Sequence, residues 1–157
     1  MQTLVAGDKA PVFSLLNQNN ETINLADLKG KKVLAYFYPK AMTPGCTTQA
    51  CGLRDHQAQW QQHNLVVFGV SPDATKRLHK FIERDQLNFD LLSDEDHQIA
   101  DAFGVWGRKK FMGKEYDGIH RISFLINEEG VIEHVFNKFK TKEHHQVVMD
   151  YLDQASA

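Results

Sequence analysis

Two short apolar runs constrain this chain more than any other feature. Lys32 to Tyr38 and Leu65 to Val70 are rich in aliphatic and aromatic residues without polar alternation, so each is expected to be a strand buried on both faces. Pro39 closes the first run. Between the two, Cys46 to His63 suits a helix, with Cys46, Ala50, Leu53 and Trp60 spaced as one buried stripe. A strand, a helix and a second strand imply a parallel pair with a right-handed crossover.

The remaining signals fit around that unit. Ser71, Pro72 and Asp73 supply cap and first-turn chemistry for a helix carrying Leu78, Phe81 and Ile82. A short strand is expected over Phe89 to Leu92 and a brief helix over Asp96 to Phe103. Gly104 to Gly118, with four glycines and the aromatics Trp106, Phe111 and Tyr116, is expected to be a structured loop. Ile122 to Asn127 and Val131 to Phe136 flank Glu128-Glu129-Gly130, a hairpin signal. Thr141 can cap a last helix with Val147, Val148, Tyr151 and Leu152 on one face. This order suggests an α/β, thioredoxin-like three-layer sandwich, a central mixed sheet flanked by helices.

With 157 residues, 42% of them hydrophobic, the chain can bury a core without disulfide staples, and no repeat or linker divides it, so one domain over 1–157 is expected. The N-terminus lacks the basic start and apolar stretch of a secretory signal, and no apolar run could span a bilayer. A soluble cytoplasmic protein without a membrane partner is expected. A net charge of −2 argues against nucleic acid, and the basic run Arg108, Lys109, Lys110, Lys114 is taken as a solvated surface.

The only two cysteines, Cys46 and Cys51, stand five positions apart in Thr-Pro-Gly-Cys-Thr-Thr-Gln-Ala-Cys. Cys46 falls in the first helical turn, where unpaired backbone N–H groups and the positive end of the helix dipole favour an anion. Five helical residues separate two Cα atoms by about 8.5 Å, beyond the roughly 7 Å that a disulfide tolerates. A bridge would therefore require the first turns to unwind. Three readings follow: a permanent staple, disfavoured by compartment and geometry; a metal site drawing on Cys46, Cys51, His56 and His63, disfavoured by the Cys-x₄-Cys spacing; and a catalytic thiol with a second thiol to resolve it, which is favoured.

Pro39-Lys-Ala-Met-Thr43-Pro-Gly-Cys46 resembles the Pro-x-x-x-Thr-x-x-Cys motif of the peroxiredoxins. The likeness extends through Cys51, Arg54-Asp55, Val70-Ser-Pro-Asp73, Gly104-Val-Trp-Gly107, Lys110-Phe-Met-Gly-Lys114 and Gly118-Ile-His-Arg121, and is closest to the bacterioferritin comigratory protein, or PrxQ, branch. The resemblance implies the peroxiredoxin fold and a peroxidase acting on hydrogen peroxide and organic hydroperoxides. It implies Cys46 as the peroxidatic and Cys51 as the resolving cysteine, joined transiently in a disulfide that thioredoxin re-reduces, with glutaredoxin as the other candidate. Thr43 would hydrogen-bond peroxide and thiolate, Arg121 would stabilise the thiolate and the departing oxygen, and Pro39 would shield and shape the loop. No metal or organic cofactor is implied, and a monomer is expected. Ala41 and Gln49 depart from the pattern, standing where relatives commonly carry Asp and Glu.

Thiolate supply cannot carry such a reaction alone. Bringing any thiol from a pKa of about 8.5 to about 6 raises the reactive fraction at neutral pH about 13-fold, about 1.5 kcal/mol. Enzymatic accelerations need at least about 8 kcal/mol, so orientation of the peroxide and stabilisation of the leaving oxygen must supply most of it.

Overall fold

A computed structural model describes residues 1–156. The expected central pair is present: β3 (Lys32–Phe37) runs parallel to β4 (Leu65–Ser71), in register from Lys32 beside Leu65 to Phe37 beside Val70. β5 (Asp90–Ser93) adds parallel to β4, and β8 (Ser123–Ile126) adds antiparallel to β3, followed by β9 (Ile132–Phe136). At the other edge lie β1 (Ser14–Asn17) and β2 (Thr22–Asn24), giving a seven-stranded mixed sheet in the order β2-β1-β5-β4-β3-β8-β9.

The alternation of β3 divides the core into two layers. Leu34, Tyr36 and Tyr38 face α1 (Pro44–Arg54), α2 (Gln57–Gln62), α3 (Thr75–Asp85) and α5 (His144–Ala155), against Ala50, Leu53, Trp60, Phe81, Val148 and Leu152. Val33, Ala35 and Phe37 point the other way, into a cluster with Phe13, Phe103 of α4 (Gln98–Phe103) and Phe124. Both faces of the strand are buried, which explains why it carries no polar alternation. The result is the three-layer, thioredoxin-like α/β arrangement. No helix among the described residues is long and apolar enough to cross a membrane.

The structure corrects four local expectations. The helix expected from Cys46 to His63 is two helices, α1 and α2, broken at Asp55 and His56. His56 Nδ1 donates to the Gly52 carbonyl at 2.8 Å, taking the acceptor that its own N–H would use in a continuous helix. The indole of Trp60 donates to the Leu53 carbonyl at 2.8 Å, so the break leaves that acceptor satisfied.

Gly104 to Gly118 is mostly not a loop. β6 (Trp106–Phe111) and β7 (Lys114–Ile119) form a separate antiparallel ribbon turned through Met112 and Gly113, whose φ of 52° and 79° suit a tight two-residue hairpin turn. The ribbon is largely exposed and bears charges on both strands, with Arg108 near Glu115 and Asp117, so it has no apolar alternation to announce it.

Neither proposed helix cap acts as one. Thr141 lies in a 3-10 turn, Thr141–Glu143, ahead of α5. Ala74 is the N-cap residue of α3, while Ser71 and Asp73 hydrogen-bond elsewhere.

Candidate active site

Residues 38–43 carry the chain from the end of β3 into α1, and side chains from the connection after β4 and from α3 hold this loop. Asp73 accepts from the backbone N–H of Ala41 at 2.7 Å and from the Ser71 hydroxyl at 2.8 Å. Arg77 pairs with Asp73 and donates to the Ala41 carbonyl at 2.7 Å. Ala41 is thus gripped at both of its backbone groups and fully buried. Met42 takes a left-handed φ of 66°, a conformation costly for a side chain with a Cβ, and this turns the chain into the helix.

Thr43 is the N-cap residue of α1, extended at φ −79° and ψ 156°, and Pro44 follows at the first helical position, where its missing N–H costs nothing. The Thr43 carbonyl accepts from Thr47 N–H at 2.8 Å, while its hydroxyl donates to the Lys40 carbonyl at 2.8 Å. Pro39 is half-buried at the start of the loop.

Cys46 sits in the first turn of α1, 1% exposed. Arg121, between β7 and β8, brings Nη1 to 3.2 Å from its sulfur. A Cβ on Gly45 would stand 3.3 Å from Arg121 Nη2, so this glycine lets the guanidinium lie close over the helix start. Lys109 donates to the Ile119 carbonyl at 2.7 Å. Burial, followed by repulsion from Arg121, holds the Lys109 ammonium below its ordinary pKa, with Cys46 opposing the shift.

Three of the five candidates gather here: Cys46, Arg121 and Thr43 meet at one helix end. Cys51 belongs to the same helix but is half-buried beside Arg54, Asp55, Arg84 and Asp85. Burial raises its pKa, partly offset by Arg54, so Cys51 is held as a thiol. Both cysteines are free. His56 and His63, the other members of the metal reading, are engaged elsewhere: His56 stacks on His145 with ring centroids 4.6 Å apart, and His63 meets Asp153. Among the described residues no group of three or more His, Cys, Asp or Glu side chains could hold a metal ion.

Sequence reasoning missed a buried polar chain behind the thiol. Arg121 Nη1 also donates to Gln49 Oε1 at 3.0 Å, Gln49 Nε2 lies 3.2 Å from His144 Nδ1, and His144 Nε2 lies 2.8 Å from Ser123 Oγ. Gln49, Ser123 and His144 are all essentially inaccessible. Burial, then the proximity of His145 and Arg121, pushes the His144 pKa down to about 3, so the ring is neutral. The one sequence signal pointing here is Gln49, three residues after the thiol and hence on its side of the helix.

Residues 6–135 match the AhpC/TSA family. The chain is 64% identical over 152 residues to the putative peroxiredoxin bcp of Haemophilus influenzae, covering 97% of this chain and 98% of the other. It is 58% identical over 154 residues to peroxiredoxin Bcp of Escherichia coli, covering 98% and 99%. Among solved structures, a cysteine-to-serine mutant of Xylella fastidiosa PrxQ superposes with a TM-score of 0.92 at 27% identity, covering 100% of this chain and 99% of that one. The bacterioferritin comigratory protein of Xanthomonas campestris, studied for its alkyl peroxide reduction activity, gives 0.86 at 29% identity over 92% of each chain.

Proposed function

The chain belongs to the AhpC/TSA family as a peroxiredoxin of the Bcp type, a peroxidase, and we propose that its reaction runs through Cys46, Cys51 and Arg121 as follows. The Cys46 thiolate attacks the nearer oxygen of a hydroperoxide. The S–O bond forms as the O–O bond breaks, giving a Cys46 sulfenic acid and an alkoxide or hydroxide that takes a proton and leaves as alcohol or water. Arg121 stabilises both the attacking sulfur and the charge building on the departing oxygen, together with the unpaired N–H groups at the start of α1. Thr43 turns its hydroxyl from the Lys40 carbonyl to the bound peroxide, and Pro39 walls the loop from solvent.

Cys51 then displaces hydroxide from the sulfenic sulfur, water leaves, and a Cys46–Cys51 disulfide remains. Two electrons from a dithiol protein of the thioredoxin type, with glutaredoxin as the alternative donor, restore both thiols. The enzyme works in the cytoplasm as a single-domain monomer.

The observation that carries this reading is the 3.2 Å contact between the Arg121 guanidinium and a buried first-turn cysteine sulfur. A coupled assay with thioredoxin, thioredoxin reductase and NADPH tests it, using hydrogen peroxide and a bulky organic hydroperoxide. Peroxide-dependent NADPH oxidation that vanishes in Cys46→Ser is expected. Persistence of that oxidation in Cys46→Ser would overturn the assignment.

A further inference from the structure

We propose that His144 is a positioning residue for the peroxidase reaction: through Gln49 it fixes the orientation in which Arg121 meets Cys46. The proposal deepens the reading above, resting on Arg121 acting at the Cys46 sulfur.

The argument is one of donors and acceptors. A guanidinium can only donate, so the Gln49 atom 3.0 Å from Arg121 Nη1 must be the carbonyl oxygen, Oε1. The other end of that amide, Nε2, can only donate, and it faces His144 Nδ1 at 3.2 Å. Nδ1 must therefore be the bare, accepting nitrogen, and the ring proton must sit on Nε2, directed at Ser123 Oγ 2.8 Å away. Every role in the chain is thus dictated by its neighbour.

Gln49 is the weak point of this arrangement. Its amide has two ends of nearly equal size, and the reversed orientation would present an NH₂ group to the guanidinium, donor against donor. Arg121 would then lose its buried acceptor. His144 prevents the reversal by offering an acceptor on the side where the NH₂ must go. Its own ring is held between neighbours: Phe139 stacks at 4.4 Å between centroids, and Tyr36 lies at 5.7 Å. Burial keeps the ring neutral, which leaves Nδ1 free to accept.

Two amide substitutions separate this role from simple packing. In His144→Asn the side-chain oxygen can stand where Nδ1 stood; in His144→Gln the polar end reaches toward Ser123 and the Nδ1 acceptor is lost. His144→Gln should slow the first turnover of Cys46 with hydrogen peroxide about tenfold, the cost of one misoriented contact, and His144→Asn should recover most of that loss. In a Gln49→Glu background the penalty of His144→Gln should disappear, because a carboxylate has no wrong end. Equal slowing in both single variants would overturn the proposal.

Nitrogen NMR of the wild-type protein provides a test without substitution, and decides the matter if the variants do not fold. His144 should show a protonated Nε2 and a bare Nδ1, and the opposite tautomer would overturn the proposal. An unimpaired Arg121→Ala would sink the Arg121 assignment itself, whereas a slow Arg121→Ala beside equal His144 variants would remove only the role of His144.

Discussion

Arg121 Nη1 lies 3.2 Å from Cys46 Sγ and 3.0 Å from Gln49 Oε1, so one nitrogen joins the first-turn sulfur to a buried neutral acceptor. A glutamate at position 49 would quench part of the guanidinium charge, and the neutral Gln49 leaves it unquenched beside the sulfur. Arg121→Ala should therefore slow peroxide attack by much more than the roughly 13-fold available from thiolate fraction. Stopped-flow measurement of the first turnover across pH checks this. Full recovery at alkaline pH would show that Arg121 acts on ionisation alone.

The two thiols should separate the two chemical steps. Cys46→Ser should abolish peroxide consumption, while Cys51→Ser should complete one rapid turnover and stop as the sulfenic acid, detectable by mass after trapping with a dione reagent. Burial holds the Cys51 thiol above its ordinary pKa. Only the deprotonated fraction attacks efficiently, so disulfide formation in the wild type should accelerate as pH rises through the neutral and mildly alkaline range. A disulfide-forming step with no pH dependence would contradict this.

Several polar contacts hold the far end of the cysteine helix to the region around β5. Arg54 donates to the Asp85 carbonyl at 2.6 Å, and Asn88 Nδ2 donates to the Arg54 carbonyl at 3.1 Å. Because Cys46 and Cys51 can bond only if α1 opens, Asn88→Ala should speed disulfide formation about threefold, the effect of losing one exposed hydrogen bond, while leaving peroxide attack unaffected. Hydrogen exchange supplies the companion measurement. Amides of residues 43–55 should lose protection in the oxidised protein, and unchanged protection with a confirmed disulfide would refute the opening.

His144 makes the fold sensitive to acid. Its pKa falls from 6.5 to about 3 on folding, so the unfolded chain binds a proton that the native protein refuses between those values. That contribution is intact above pH 6.5 and is lost as pH falls toward 3, amounting to roughly 1 kcal/mol between about pH 7.5 and 5.5. His145, whose pKa is also lowered, chiefly by burial and then by His56, adds in the same direction. Urea unfolding at the two pH values should show a smaller loss in His144→Asn than in the wild type.

The sheet was legible wherever burial wrote itself into composition. β3 and β4 are apolar on both faces, and β8 and β9 flank a glycine turn, so their positions followed directly. The β6–β7 ribbon was not legible, because an exposed ribbon leaves no hydrophobic period. The edge pair β1 and β2 is short and partly exposed, joined by a turn in which buried Asn17 accepts from the backbone of Asn19 and Glu21. Of the candidates at the site, Pro39, Thr43 and Cys46 could be named from the Pro-x-x-x-Thr-x-x-Cys motif and Arg121 from the resemblance over Gly118 to Arg121. His144 and Ser123 could not: they lie far along the chain, and only the crossing of β8 beneath the start of α5 brings them to Gln49.

The break at Asp55 and His56 bears on how often this protein can turn over without damage. Eleven residues make α1 too short to be stable as an isolated helix, so it stands or falls with the contacts along its length. Beyond the break, Trp60 anchors α2 in the core, fully buried, with its indole bonded to the Leu53 carbonyl near the end of α1. A helix continuous to His63 would carry the indole outward each time the thiols joined, exposing the interior once per cycle. On the proposed cycle, division at His56 would confine that disturbance to α1, and the sheet beneath would be the template on which the helix re-forms after each reduction.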